Sequence, residues 1–318
     1  MSPRGRGGGG KRRGERPVPA ADYYGRPIVK PPVWEEREIA GYLFTGGLAG
    51  ASSILAAGAD LTGRPALARG SRLMATGAIA VSLGALVKDL GRPLRFLNML
   101  RVFKPTSPMS VGVWILVGYA PLAAGAAASD VGDRLPRLGR AAGLGAAALG
   151  STVATYTAAL IANTAVPAWH EGRRELPLLF AGSAASAAAG WGLVVAPTSE
   201  NEPAVRMAVL GALVELGAEQ LMERRLGMVA ETLHAGEAGK RLRLAKALTA
   251  AGGIGAGFLA RRNRGAAVAA GAALLAGSAL TRFGLFEAGM ASARDPKYTV
   301  EPQRARLAER RAATGRRV

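Results

Sequence analysis

Residues 109–129 read MSVGVWILVGYAPLAAGAAAS, an uninterrupted run without a single charge. As a helix rising 1.5 Å per residue, it covers about 30 Å, the thickness of the hydrocarbon layer of a bilayer. Lipid offers the backbone no hydrogen-bond partner, so a run of this kind spans as a helix. The apolar residues elsewhere also fall in blocks, at about 38–59, 73–90, 141–167, 176–196, 203–221, 242–260 and 265–290. Together these predict an all-α integral membrane protein of about eight transmembrane helices. The block at 203–221 is the least apolar because it carries Glu215 and Glu219, and the one at 242–260 is short and rich in glycine. In the first block Gly46 and Gly50 have the small-xxx-small spacing that lets helices approach closely. Between the second and third blocks, Leu94, Leu97, Leu100 and Arg101 suggest a short interfacial helix.

Composition narrows the chemistry. The 318 residues include no Cys and only 2 His. That rules out disulfides, thiolate-held iron–sulfur clusters and thiolate zinc sites. His170 and His234 both lie outside the spans, so a membrane-buried haem held by two His, or another metal centre, is not expected. Lys and Arg number 41 against 22 Asp and Glu, a net charge of +19. Such an excess is also the footprint of a nucleic-acid binder. Here it gathers in the tails and short loops, where topology signals accumulate, so no nucleic-acid partner is expected. The expected organisation is a basic segment over 1–37, a membrane domain over 38–290 and a basic tail over 291–318. Nothing in Met1–Arg16 is apolar, so no cleavable signal peptide is expected. The positive-inside rule places both termini in the cytoplasm; the tails carry most of that signal, since the short loops nearly balance.

Several polar residues are candidates for function. The stretch from Asp89 to Ser110 is dense in Arg and polar side chains yet punctuated by Phe96, Met99 and Phe103. It reads either as a loop on anionic headgroups or as a docking surface beside a membrane-accessible pocket. Thr152, Tyr156 and Asn163 share a helix face, which is expected to point into the bundle, for interhelical hydrogen bonding or to line a cavity. Tyr42 suits an interfacial belt. His170 is either simply solvated or a proton donor near the interface. Glu215 and Glu219 share one face of the sixth span, as a proton relay or as structural partners of a basic residue such as Arg224. An even number of crossings separates the start of span one, the loop after span two and the loop after span four. Tyr42, Asp89, Arg92, Arg95, Asn98, Trp169 and His170 can therefore converge on one membrane face.

At these residues the chain resembles the NrfD family, the membrane subunits of polysulfide reductase and formate-dependent nitrite reductase complexes. The likeness is strongest at Tyr42-Leu43-Phe44 through Gly50, at Asp89-Leu-Gly-Arg-Pro through Phe96 with Lys104-Pro-Thr-Ser-Pro-Met-Ser, and at Tyr156-Thr157-Ala158 with Val166-Pro167-Ala168-Trp169. The resemblance implies two four-helix bundles, about 38–167 and 176–290, with a quinone pocket in the first. The pocket would open towards an iron–sulfur, ferredoxin-like partner that exchanges electrons with a molybdopterin-containing catalytic subunit. Menaquinone or ubiquinone would be a diffusible substrate, and the chain would hold no cofactor of its own. By carry-over Tyr156 would meet a quinone carbonyl, Tyr42 would stand near the pocket where some members have His, and Asp89 and Arg92 would form its polar rim. Asn98 and His170 join these as quinone-site candidates; Arg95, Arg101 and Lys104 are candidates for partner docking. Well-known members present the pocket on the outer face, whereas the Arg-rich N-terminus here argues for a cytoplasmic one. A secondary transporter, with Gly252-Gly253 as a helix interruption, and a purely structural anchor are the competing readings.

Overall fold

The structure, a computed structural model, describes residues 28–30, 32, 34–89 and 95–315. Its described residues form twelve α-helices and no strand: α1 (Glu36–Leu61), α2 (Pro65–Asp89), α3 (Arg95–Met99), α4 (Pro108–Gly132), α5 (Pro136–Ala162), α6 (Pro167–Glu171), α7 (Leu176–Val195), α8 (Glu202–Leu226), α9 (Glu231–His234), α10 (Gly236–Phe258), α11 (Arg264–Arg294) and α12 (Lys297–Gly315). A single 3₁₀ turn, Gly227–Ala230, joins α8 to α9. Proline occupies the first or second position of α2, α4, α5, α6, α7 and α8. There its missing N–H costs nothing and its fixed φ suits the helix.

Six helices, α1, α2, α4, α5, α7 and α11, are long and apolar enough to cross a membrane. The charges of α8 and α10 keep them outside that class, yet both run antiparallel to such a helix along their length. Gly182 and Gly192 of α7 face Gly211 and Ala204 of α8, and Gly255 and Gly284 of α10 and α11 face Ala270 and Leu242. Helix α2 begins at Pro65, well before the expected 73, and Arg72 within it is ion-paired to both Asp60 and Asp130. Helix α10 runs unbroken through Gly252 and Gly253, which give room to Leu274 and Ala212. The expected interruption is therefore a packing feature, not a break.

Helices α1, α2, α4 and α5 form one group, and α7, α8, α10 and α11 a second. The two meet chiefly where α7 lies against α1 and α5, and α11 against α1. Helix α1 is the hub, buried along most of its length between Ile39 and Ala59. Its glycines serve several neighbours. Gly46 faces Ser82 of α2, Gly47 faces Ala184 of α7, and Gly50 meets the backbone of Gly150 in α5. Consecutive helix positions point about 100° apart, so three glycines within five residues admit three neighbours.

On the face where α1 begins, Arg241 pairs with Glu36 and, at 3.3 Å, with Glu287, which ties α10 to both α1 and α11. The basic tail contains α12, an exposed helix that Arg306 links to Glu171 at 2.5 Å. At its start the Lys297 ammonium, 2.8 Å away, holds the Glu231 carboxyl below the usual carboxylate range.

Candidate functional site

At that same end of the first group, the first turns of α1 and the last turns of α5 carry Tyr42 and Tyr156. Both line a cavity whose empty volume is about 560 Å³, mouth included. Trp34, Leu86, Met99, Met109 and Leu160 supply much of the remaining wall, so the lining is apolar apart from the two phenols and the indole. Tyr42 is 2% exposed. No residue among those described bonds to the Tyr156 hydroxyl, although the ring is held on its other side. Gly112 of α4 makes that hold possible: any side chain there would overlap the Tyr156 ring.

The far wall is stapled to the second group. Trp34 stacks on Trp169 of α6, with ring centroids 5.9 Å apart. Trp169 is 1% exposed; its indole N–H donates to the Leu285 carbonyl at 2.9 Å, and its ring lies over Gly289 of α11. Met109 of the lining is itself exposed, and on the neighbouring α3–α4 segment Leu97, Phe103 and Trp114 are exposed too, with Phe103 meeting Trp114 edge-on at 6.3 Å. Exposed large apolar side chains of this kind suit contact with lipid.

The sequence candidates separate in space. Tyr42 and Tyr156 meet across the cavity. Asn98 is exposed on α3, in a shallow hollow with Lys104 that shares Met99 and Met109 with the cavity. Arg101 and Lys104 are exposed on the same loop. Arg92 lies outside the described residues, as do the side chains of Asp89 and Arg95. His170 is exposed on α6, a ring nitrogen 3.3 Å from the Ala162 carbonyl, and does not line the cavity. The expected stripe on α5 is corrected: Thr152 and Asn163 are exposed, and Asn163 caps the helix end. Helix α5 packs through Gly150, Val153, Thr157 and Ile161, so Tyr156 sits on the flank that faces α4. Trp34 and Gly112 were not singled out from sequence. Neither bears a signal until the chain is folded around Tyr156.

A second polar centre lies in the other group. Glu215 is 1% exposed and accepts a 2.8 Å hydrogen bond from the Thr281 hydroxyl. Glu219, one turn on, is 3.5 Å from Lys246, which also reaches Glu223 at 3.1 Å. Lys246 of α10, not Arg224, is thus the basic partner; Arg224 is exposed. Facing this group is Arg282, 1% exposed, which donates to the Phe180 carbonyl at 2.9 Å and stacks 3.6 Å above the Phe180 ring. Its position in the eighth apolar block was a legible signal, since a charge at membrane depth is a functional candidate by default. Among the described residues, no group of three or more His, Cys, Asp or Glu side chains is placed to hold a metal ion.

A family model described as polysulphide reductase, NrfD, matches residues 29–292, from just before Trp34 to the end of α11. No curated protein matches the chain significantly.

Proposed function

The chain belongs to the polysulphide reductase NrfD family, and on that premise we propose that it is the quinone-interacting membrane anchor of a multisubunit oxidoreductase, crossing the bilayer eight times. In this reading α8 and α10 are the two charged spans, each shielded by its antiparallel neighbour. A ferredoxin-like iron–sulfur subunit docks on the face carrying Asn98, Arg101 and Lys104. It exchanges electrons with a molybdopterin-containing catalytic subunit.

The observation that carries the reading is the pairing of an apolar cavity with a tyrosine hydroxyl that has no partner among the described residues. An unmet donor in an apolar site discriminates for a ligand with an acceptor, because desolvating it unpaired is costly. A quinone ring between the Tyr42 and Tyr156 sides has both required properties, a flat apolar body and carbonyl oxygens. The Tyr156 hydroxyl then donates to one carbonyl, Trp34 bounds the ring, and the isoprenoid tail leaves past Met109 and Trp114. Gly112 holds the Tyr156 ring in place by the absence of a side chain.

Replacing Tyr156 with Phe removes only the donor. Quinone-dependent turnover is expected to fall by about a hundredfold, the scale of one positioned acid–base group, with the complex still assembled. Gly112→Val, which displaces the ring, is expected to lose turnover similarly. Turnover near the parent's in Tyr156→Phe, measured with a soluble quinol analogue, would rule out the role.

The cavity face is assigned to the cytoplasm, supported by the basic N-terminal segment and α12 on that side. The chain lacks cysteine, so single introduced thiols report topology cleanly. Ser107→Cys, at the start of α4, is expected to resist an impermeant maleimide until cells are opened, and Ser199→Cys, between α7 and α8, to react in intact cells. The opposite pattern would invert the assignment.

A further inference from the structure

The polar centre of the second group has no place in quinone binding, and its geometry is that of a path. Glu215, Glu219 and Glu223 stand one turn apart on one face of α8, about 6 Å per step. Their side chains grow steadily more accessible: Glu215 is 1% exposed as a residue, and the Glu219 and Glu223 side chains are 9% and 14% exposed. Lys246, bonded to the outer two, is 40% exposed and marks the mouth. This mouth lies toward the end of α8, on the membrane face where α1 begins and the cavity opens.

At the inner end, hydrogen-bonding capacity is left over. The second Glu215 oxygen, the Ser186 hydroxyl, and Nε and Nη1 of Arg282 are buried and unpartnered among the described residues. Ser183 and Ser186 lie beside the Glu215 carboxylate, and Arg282 acts on it as the nearby cation without forming an ion pair. Several unmet donors and acceptors around one spot supply the two to four polar partners that an ordered internal water uses. Beyond Arg282 the route is closed by Phe180 on one side and by Gly47 and Ala184, at the seam between the two groups, on the other.

We propose that Glu215 is a proton-loading site served by a hydrated half-channel, with Glu223 and Lys246 at its mouth, Glu219 as the intermediate carrier and Arg282 as its closed end. A proton drawn from water at the mouth passes to a Glu219 oxygen and then, through internal water, to the free oxygen of Glu215. Each transfer breaks one bond to hydrogen and makes one, and no electron moves. Arg282 balances the Glu215 charge when the proton is absent and repels a proton from moving further inward. Release follows the same route outward. The inference holds whatever occupies the cavity of the first group.

Infrared difference spectroscopy of the full chain in lipid nanodiscs, during pH steps and exchange from H₂O to D₂O, tests it. A protonated-carboxyl C=O band that titrates and shifts in D₂O is expected, and Glu215→Gln should remove it. In Glu219→Gln the band should remain, with deuterium exchange slowed at least tenfold. Thr281→Val, which deletes the hydroxyl that Thr281 shares between Glu215 and the Gly277 carbonyl, should shift the band's frequency; it serves if Glu215→Gln does not accumulate. A parent chain without a titrating carboxyl band, a band untouched by both Glu215→Gln and Thr281→Val, or exchange in Glu219→Gln as fast as in the parent would each overturn the proposal. The last outcome would mark the ladder as static ion pairing.

Discussion

Gly50→Leu is expected to remove the folded protein from the membrane. At this point of α1 the backbone of α5 is the neighbour: a Cβ on Gly50 would overlap the Gly150 carbonyl oxygen, and a Cβ on Gly150 would overlap that of Gly50. A flexible side chain yields to a new methyl group, but a helix backbone does not. The two helices would have to separate along their whole contact. Overpacking a rigid site typically costs about 1–3 kcal/mol, and more where backbone must move. The better helix propensity of Leu returns only about 1 kcal/mol. The loss falls on the hub helix, so it propagates to the packing of α2 and α7 as well. Gly58→Leu is the matched control, since nothing lies within 4 Å of a Cβ at Gly58 in the same helix. Size-exclusion profiles and thermal melts of the two variants should differ sharply. Equal behaviour would mean that the α1–α5 crossing is looser than described.

The second large effect concerns Arg282. Arg282→Met keeps much of the side chain's volume and apolar length but deletes the cation that faces Glu215. Breaking a buried ion pair typically costs about 3–5 kcal/mol, because the other charge is left without compensation; Arg282 and Glu215 face each other without direct contact, so that figure is the upper bound here. A large share of the stability of an ordinary domain, about 5–15 kcal/mol, would go with it. The lost stacking on Phe180 and the lost hydrogen bond to its carbonyl add to the penalty. The double variant Arg282→Met/Glu215→Gln should recover part of the loss, since neither charge then remains. Unfolding in a detergent titration measures this directly. If single and double variants lose the same amount, the two groups are not coupled and Arg282 acts only through Phe180.

Both cases show why the candidate sites were unequally legible. Tyr156 stood out through the polar stripe on its helix, and both tyrosines through the resemblance to the NrfD family; the even number of crossings put Tyr42 on the face that carries the loops after spans two and four. Their actual contact partners did not stand out. Trp34 matters because it stacks on Trp169, and Gly112 because it has no side chain to obstruct Tyr156. Glu215 and Glu219 were visible as charges at membrane depth. Lys246 lies on another helix, and only the antiparallel packing of α8 and α10 brings it to Glu219. Arg282 carried the same signal as the two glutamates. The start of α2 was missed because Arg64, Arg69 and Arg72 look like a loop until Asp60 and Asp130 are seen to neutralise Arg72.

The sequence by itself determined that this is a helical membrane protein: a chain in lipid must satisfy its backbone internally, and uncharged runs of bilayer length can do so only as helices. Its lack of cysteine, and the position of both histidines outside the spans, also bounded the chemistry by composition alone. Only the tertiary structure decided which helices touch, because glycine leaves no side chain to announce its neighbour, and three glycines in α1 open towards three different partners. It alone set Tyr156 against a cavity and Glu215 against Arg282, since those relations join residues far apart in the chain through the packing of backbone on backbone.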